Sequence, residues 1–244
     1  YFSKLLTYQL PSTADKAEYV SRKFNEIALK YDRFNDLITF GMHRYWKLFV
    51  ARQTGLREGE RCLDLCCGTG DIARAVIKQH PHAKVTGVDF AASMLGVAAD
   101  RTKVDSVQWI QGDALHLPFP DQWFAAVTIG YGLRNLDDLT KGLLEIRRIL
   151  QPGGVLVSLD VGKVRLPLVD NLSRFYFFKV VPKIGEWLMP EQEMFTYLPQ
   201  SSVKYPDQET LKRKLLEVGF QQVDYTDFVF GASTIHVAYK TSAP

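Results

Sequence analysis

The stretch Arg61-Cys62-Leu63-Asp64-Leu65-Cys66-Cys67-Gly68-Thr69-Gly70-Asp71 constrains the chain more than any other. Arg61 to Cys66 reads as a short buried strand, followed by a glycine turn that opens a helix from about Asp71. Ala73 stands where such turns often carry a third glycine. Glycines at these places let the backbone approach a nucleotide with no Cβ in the way. The bare pattern fits many nucleotide folds.

The acids around the turn narrow the choice. Asp64 lies inside the strand, four residues before Gly68, and Asp71 lies at the helix N-terminus. A dinucleotide would rest its pyrophosphate on that N-terminus, where N–H groups and the helix dipole favour an anion. Carboxylates there disfavour phosphate and favour a ligand bearing an ammonium and a sulfonium, which is S-adenosylmethionine. The plainer reading, an ordinary strand–turn–helix in which Asp71 caps the helix, stays open.

Downstream, Lys84 to Asp89 reads as a second strand ending on an acid. Asp89 falls 25 residues after Asp64, near the usual spacing for a carboxylate that accepts from ribose hydroxyls, although a strand-end Asp can equally be a helix cap. A helix over 92–99 leads to a third strand, Val107 to Gln111. Asp113, beside Ala114, can accept from an adenine amino group, with Phe90 and Leu115 offering apolar surface. A fourth strand, Phe124 to Ile129, runs into Gly130-Tyr131-Gly132-Leu133-Arg134-Asn135. The helix after it places Leu136, Leu139, Leu143, Ile146 and Leu150 on one face, with Asn135 as its cap, and stops at Pro152-Gly153-Gly154. Val155 to Val161 is a fifth strand.

Strands alternating with helices predict an α/β, doubly wound, mostly parallel sheet, with ligand beyond the carboxyl ends of the strands. Gly68, Asp89, Asp113 and Gly130 all fall at such ends. Ahead of the first strand, residues 16–31 predict an amphipathic helix, 30–36 a kinked or broken one, and 43–53 another, together a helical cap over one sheet edge. Asp207 caps a last helix that Gly219 ends. Gln222 to Val229 and Thr234 to Tyr239 form a terminal hairpin, so one strand runs antiparallel.

Residues 163–204 break the alternation. From Lys163 to Lys183 there are five basic residues against Asp170, among Phe175, Tyr176, Phe177 and Phe178. A lid that meets a greasy substrate at a membrane surface, a core helix pair and a dimer contact all fit that composition. The 244 residues are read as a single domain: cap 1–56, cofactor half 57–162, insertion 163–204, last helix and hairpin 205–244.

A net charge of +3 argues against nucleic acid as partner. No run approaches the roughly 18 apolar residues of a membrane span, and no secretory signal is present. The chain begins at Tyr1, which leaves a removed leader open. Cys62, Cys66 and Cys67 crowd one strand and its end, poor geometry for disulfides, which points to a reducing compartment, cytoplasmic or organelle-soluble. Without a Cys-x-x-Cys pair, and with scattered histidines, no metal site is expected.

Three strings carry a family likeness: Lys30-Tyr31-Asp32-Arg33-Phe34-Asn35-Asp36 followed by Gly41-Met42-His43-Arg44-Tyr45-Trp46-Lys47; Tyr131-Gly132-Leu133-Arg134-Asn135; and Pro206-Asp207-Gln208-Glu209-Thr210-Leu211. On these the chain resembles the ubiquinone/menaquinone biosynthesis C-methyltransferases, a branch of the class I S-adenosylmethionine methyltransferases, from about Tyr19 to Lys240. The resemblance implies a Rossmann-like seven-stranded sheet and a prenylated quinol substrate. It also implies cofactor contacts at Thr69, Asp89, Asp113, Ala114 and Gly130, joining Asp64, Gly68, Gly70 and Phe90. Gly130 stands where several relatives carry serine, so only its backbone can contribute. Tyr197-Leu198-Pro199-Gln200-Ser201 departs from the relatives' Ala-Glu-Ser, which puts any role of that glutamate in doubt here. Cys66-Cys67-Gly68 is closer to members acting on naphthoquinols.

Carbon methylation of a quinol needs an ionised hydroxyl to enrich the ring carbon, and a base or water to take the proton. Arg134 stays protonated and so is expected to stabilise the phenolate or orient a water. Asn135 fixes the other hydroxyl or caps the helix; Tyr31 and Asn35 close over the methyl donor, and Tyr131 stacks on the ring. A surface position for Arg134 is the plainer alternative, and no residue stands out as general base. The competing readings are a nicotinamide oxidoreductase, a non-catalytic scaffold of a quinone-synthesis assembly, and a same-fold methyltransferase for another phenolic or polyketide acceptor.

Overall fold

The structure is a computed structural model in which residues 28, 30–102, 107–188 and 201–241 are described. In chain order it runs α1 (Tyr31–Thr39), α2 (Met42–Gln53), β1 (Arg61–Leu65), α3 (Asp71–Gln79), β2 (Lys84–Asp89), α4 (Ala92–Arg101) and β3 (Val107–Gln111). Then come β4 (Phe124–Gly130), a 3-10 turn (Leu133–Asn135), α5 (Leu139–Ile149) and β5 (Leu150–Val161). The insertion supplies α6 (Pro167–Phe175), a π turn (Tyr176–Val180) and α7 (Val181–Leu188), before α8 (Gln208–Glu217), β6 (Phe220–Phe228) and β7 (Ser233–Lys240).

The strands form one seven-stranded sheet in the order β3-β2-β1-β4-β5-β7-β6. The first five pair in parallel, while β7 is antiparallel to both β5 and β6. Strand order therefore reverses between β1 and β4, the crevice where an open α/β sheet binds ligands. Successive residues of β1 serve opposite layers. Leu63 and Leu65 pack with Val127, Ile146 and Leu215, on the side of α5 and α8, whereas Cys62 packs with Ile72, Val76, Trp46 and Val50, on the side of α2 and α3. Burial on both faces explains why the central strands are apolar runs without alternation.

Several expectations change. The helix over 16–31 falls, but for its last positions, outside the described residues. The 30–36 segment is not broken: α1 continues to Thr39, and the break comes at Phe40 and Gly41, both with positive φ (50° and 74°). The Asp36 side chain accepts from Arg44 and pairs with His43 across that break. Asn135 does not cap the helix after β4. Asp138 does, accepting from the Lys141 N–H at 2.9 Å, and the Asn135 side chain donates to the Tyr131 carbonyl. That helix ends at Ile149, before Pro152, because Leu150 already pairs with Phe124 and a register shift absorbs the glycines. Asp207 caps α8 as expected.

Candidate active site

Two cavities meet above the carboxyl ends of β1, β2 and β4. The smaller is walled by the glycine turn, with Asp64, Asp89, Phe90, Asp113, Ala114, Leu115 and Gly130 around it. In the turn, Cys66, Gly68 and Gly70 all have positive φ. A Cβ on Gly68 would meet nothing within 4 Å, so its bare Cα opens onto the cavity, whereas one on Gly70 would come within 2.5 Å of the Trp109 ring. These glycines thus have different jobs: one leaves room for a ligand, the other lets the turn pass the sheet.

The acids sort themselves by partner. Asp64 is buried under the turn, accepting from the Ala73 N–H at 2.9 Å and the Thr128 hydroxyl at 2.9 Å; burial raises its pKa to about 7. Its carboxylate therefore sits at the N-terminus of α3 and takes an N–H that a phosphate would need. Asp71 departs from expectation: it is tied to Lys47 at 2.6 Å and to Arg74, which hold its pKa down against burial, so its charge is largely answered within the protein. Asp89 accepts from the Gly68 N–H (2.8 Å) and the Ala91 N–H (2.9 Å), bracing the turn while its carboxylate borders the cavity; burial raises its pKa. Asp113 accepts from the Leu115 N–H and faces His116. Thr69 donates its hydroxyl to Asp32 of α1 at 2.9 Å, and Asp32 also pairs with Arg101. The open space at Gly68, the carboxylates of Asp64, Asp89 and Asp113, and the occupied α3 N-terminus together fit a cationic methyl donor.

The larger cavity, about 570 Å³, lies between α1, α2, the 3-10 turn and the insertion, within the range of small-molecule sites. Asn35, Arg134, His43 and Ser233 line it, and Tyr31 and Tyr131 border both cavities. Arg134 is no surface residue. Its side chain is 4% exposed and Nη1 donates to Asp160 Oδ1 at 2.7 Å, with Asp160 itself 3% exposed. The guanidinium lies 5.3 Å from the centre of the Tyr131 ring. Tyr131 adopts positive φ (57°), its N–H donates to the Leu159 carbonyl and its hydroxyl meets Ser233 at 3.3 Å. Burial pushes its phenol well above the ordinary range, so it stays protonated. Asn135 borders the smaller cavity, not the larger.

Every residue expected at the site lines one of the two cavities except Gly70, which shapes the turn behind it. Four partners escaped the sequence reading. Asp160 carried a usable signal, an acid near the end of a buried strand like Asp64 and Asp89. Asp32 and Lys47 lie in the strings that carry the family likeness, but like Ser233 they reach the site only through tertiary folding, and nothing local names their partners.

A seven-stranded sheet with a terminal antiparallel strand, an acid-lined glycine turn and an α3 N-terminus already occupied by Asp64 define a class I S-adenosylmethionine-dependent methyltransferase. Solved structures share the fold: one from the complex between the Haloferax volcanii Trm112 methyltransferase activator and the putative methyltransferase (TM-score 0.68, 16% identity, 90% of this chain and 98% of that one), and a Thermotoga maritima methyltransferase described as a possible histamine N-methyltransferase (TM-score 0.63, 21% identity, 90% and 99%). The family follows from sequence. Residues 12–240 match the ubiE/COQ5 methyltransferase family, and the chain belongs to it. Demethylmenaquinone methyltransferase of Leptospira interrogans is 46% identical over 96% of this chain and 98% of its own length, and that of Staphylococcus aureus 40% over 91% and 93%.

Proposed function

We propose that this enzyme methylates a ring carbon of a prenylated quinol in quinone biosynthesis, a demethylmenaquinol-type naphthoquinol being the substrate best supported. The observation that carries the reading is an apolar cavity, lined by Arg134 with Asp160 buried behind it, that abuts the cofactor cavity at Tyr31 and Tyr131. The names of the two relatives support the naphthoquinol over the benzoquinol.

Asp89 and Asp113 would hold the ribose and adenine of S-adenosylmethionine, with Phe90 and Leu115 against the ring, Gly68 leaving room, Thr69 and Gly130 lining the cavity, and Asp64 holding the turn. When bound, that cofactor supplies an electrophilic methyl group on a sulfonium. The protein's own part is to orient the quinol and raise its electron density. Arg134, fixed by Asp160, presents a permanent positive charge to a hydroxyl oxygen as it ionises. Tyr131 and Tyr31 flank the junction of the cavities and keep water from it, while Asn35 offers an amide to the second hydroxyl. Asn135 holds the Tyr131 backbone, a positioning role.

The mouth of the larger cavity carries Phe40, Leu172, Phe175 and Phe230, all exposed, with Leu168 84% exposed beside them. Arg165, Arg174, Lys179 and Lys183 belong to the same insertion. We read this rim as a lid that meets a membrane surface and admits a prenyl tail, in preference to a dimer contact, because apolar tips among basic residues suit an anionic interface. No helix among the described residues is long and apolar enough to cross a membrane. The chain from cap to hairpin acts as one catalytic unit, and its free thiols, Cys62 and Cys67 buried and Cys66 half-buried, suit a reducing compartment.

The test is methyl transfer to demethyl-naphthoquinols and demethyl-benzoquinols, with and without reductant. Product from the reduced naphthoquinol alone is expected. Turnover of neither quinol, with tight binding of NADH in place of S-adenosylhomocysteine, would overturn the reading.

A further inference from the structure

The cavity wall holds a group that the mechanism above does not use. His43, the second residue of α2, is 1% exposed and forms part of the wall of the larger cavity, which it shares with Asn35 and Arg134. Its Nε2 lies 2.8 Å from Asp36 Oδ1. Asp36 is clasped by Arg44, whose Nε and Nη2 donate to the two carboxylate oxygens at 2.7 Å each. That carboxylate stays ionised and can only accept, so Nε2 must carry a proton. In the neutral ring the lone pair then sits on Nδ1. That atom is buried and has no hydrogen-bond partner among the described residues. A buried acceptor without a partner costs stability unless something else comes to meet it.

We propose that His43, oriented by Asp36, is the group that takes the proton from the quinol hydroxyl, through Nδ1. The idea rests on the quinol reading of the site and supplies the base that reading lacks. In the step, the O–H bond breaks, an N–H bond forms at Nδ1, and the imidazolium is held against the Asp36 carboxylate while the oxygen keeps the electron pair and shares it with the ring. After the ring carbon is methylated it loses its hydrogen to water, and the imidazolium returns its proton to the oxygen. The net proton released is the ring's own, and no oxidant or reductant is needed.

The charges around the imidazole suit a resting neutral base. Burial and the Lys47 ammonium, one turn along α2, lower its pKa; Asp36 and, more weakly, Asp71 oppose them. Arg134 lines the same cavity and favours a phenolate over a second cation. Turnover should therefore fall with acid only below the ordinary histidine value of about 6.5.

Two measurements decide the matter. In the first, His43→Gln is expected to lower kcat by about 100-fold or more, to abolish the acid limb of the kcat profile, and to leave S-adenosylhomocysteine affinity unchanged. Turnover within about threefold of wild type, with the limb intact, overturns the proposal. The second needs no variant and no turnover: nitrogen NMR of the wild-type histidines, with and without menadiol. A neutral ring protonated on Nε2, whose Nδ1 signal moves when menadiol binds, is expected; a proton on Nδ1, or no movement at saturation, overturns the base. If wild type methylates no quinol, the substrate reading fails by itself, and the NMR still decides the tautomer and its contact with a phenolic hydroxyl.

Discussion

Arg134 and Asp160 form an ion pair in which both side chains are nearly sealed from water. Desolvating two charges is costly, and the geometry offsets it: one short bond between side chains and a second, 3.3 Å, from the Arg134 backbone N–H. Removing either partner leaves the other charge buried. Arg134→Ala is therefore expected to destabilise by roughly 3–5 kcal/mol, measurable by urea unfolding, besides cutting methyl transfer; a loss under about 1 kcal/mol would mean the pair is solvated in solution. Asp64 poses the opposite problem. Burial raises its pKa to about 7 against an unfolded value near 4. Between these the native state holds a proton that the unfolded chain has released, so stability from this group falls as pH rises from about 4 to about 7 and is level above. Asp64→Asn should flatten the pH dependence of unfolding over that interval while weakening S-adenosylmethionine binding. A wild-type profile that climbs steadily across the window would contradict this assignment of charge.

The elements differ in how far the sequence announced them. Central strands and the α3 glycine turn were legible because their burial is written locally, as apolar runs bounded by glycine and acids. The expected kink within 30–36 is absent because the Asp36 side chain takes partners seven and eight residues away, on another helix, and leaves its own backbone to the helix. Asn135 was misread for a related reason: two acids and a leucine follow it, and Asp138 lies nearer the first helical turn. The insertion could not be assigned from composition, since its role depends on where it docks. It docks on α1: the Tyr176 hydroxyl donates to the Ile38 carbonyl at 2.9 Å, its ring stacks on Phe40, and Val181 joins Phe34 and Met94 in a small core. Tyr176→Phe removes that bond at a cost of about 1 kcal/mol. The expected result is a several-fold rise in KM for the quinol with S-adenosylhomocysteine affinity unchanged; equal losses of both would mean the insertion also holds the cofactor cavity.

At the scale of the whole molecule, the two cavities are not independent, because the same helices wall both. Asp32 of α1 accepts from Thr69 in the glycine turn, Lys47 of α2 pairs with Asp71 at the start of α3, and Tyr31 borders both spaces. On their far side these helices offer Asn35, Thr39 and His43 to the larger cavity and receive the insertion. A ligand that firms the glycine turn thus also fixes the helices that shape the quinol site. Coupling of this kind is a free energy and must be reciprocal. Calorimetric titration should find menadiol binding about fivefold or more tighter with S-adenosylhomocysteine present, within the usual range of such couplings, and S-adenosylhomocysteine tightening by the same factor when menadiol is present. Asp32→Ala cuts the link between α1 and Thr69 without touching the wall of the larger cavity, so it should shrink that factor towards one while leaving menadiol affinity for the cofactor-free enzyme as it was. Equal menadiol affinities with and without S-adenosylhomocysteine in the wild-type enzyme would mean that the cap is already rigid, and that the two sites fill without regard to each other.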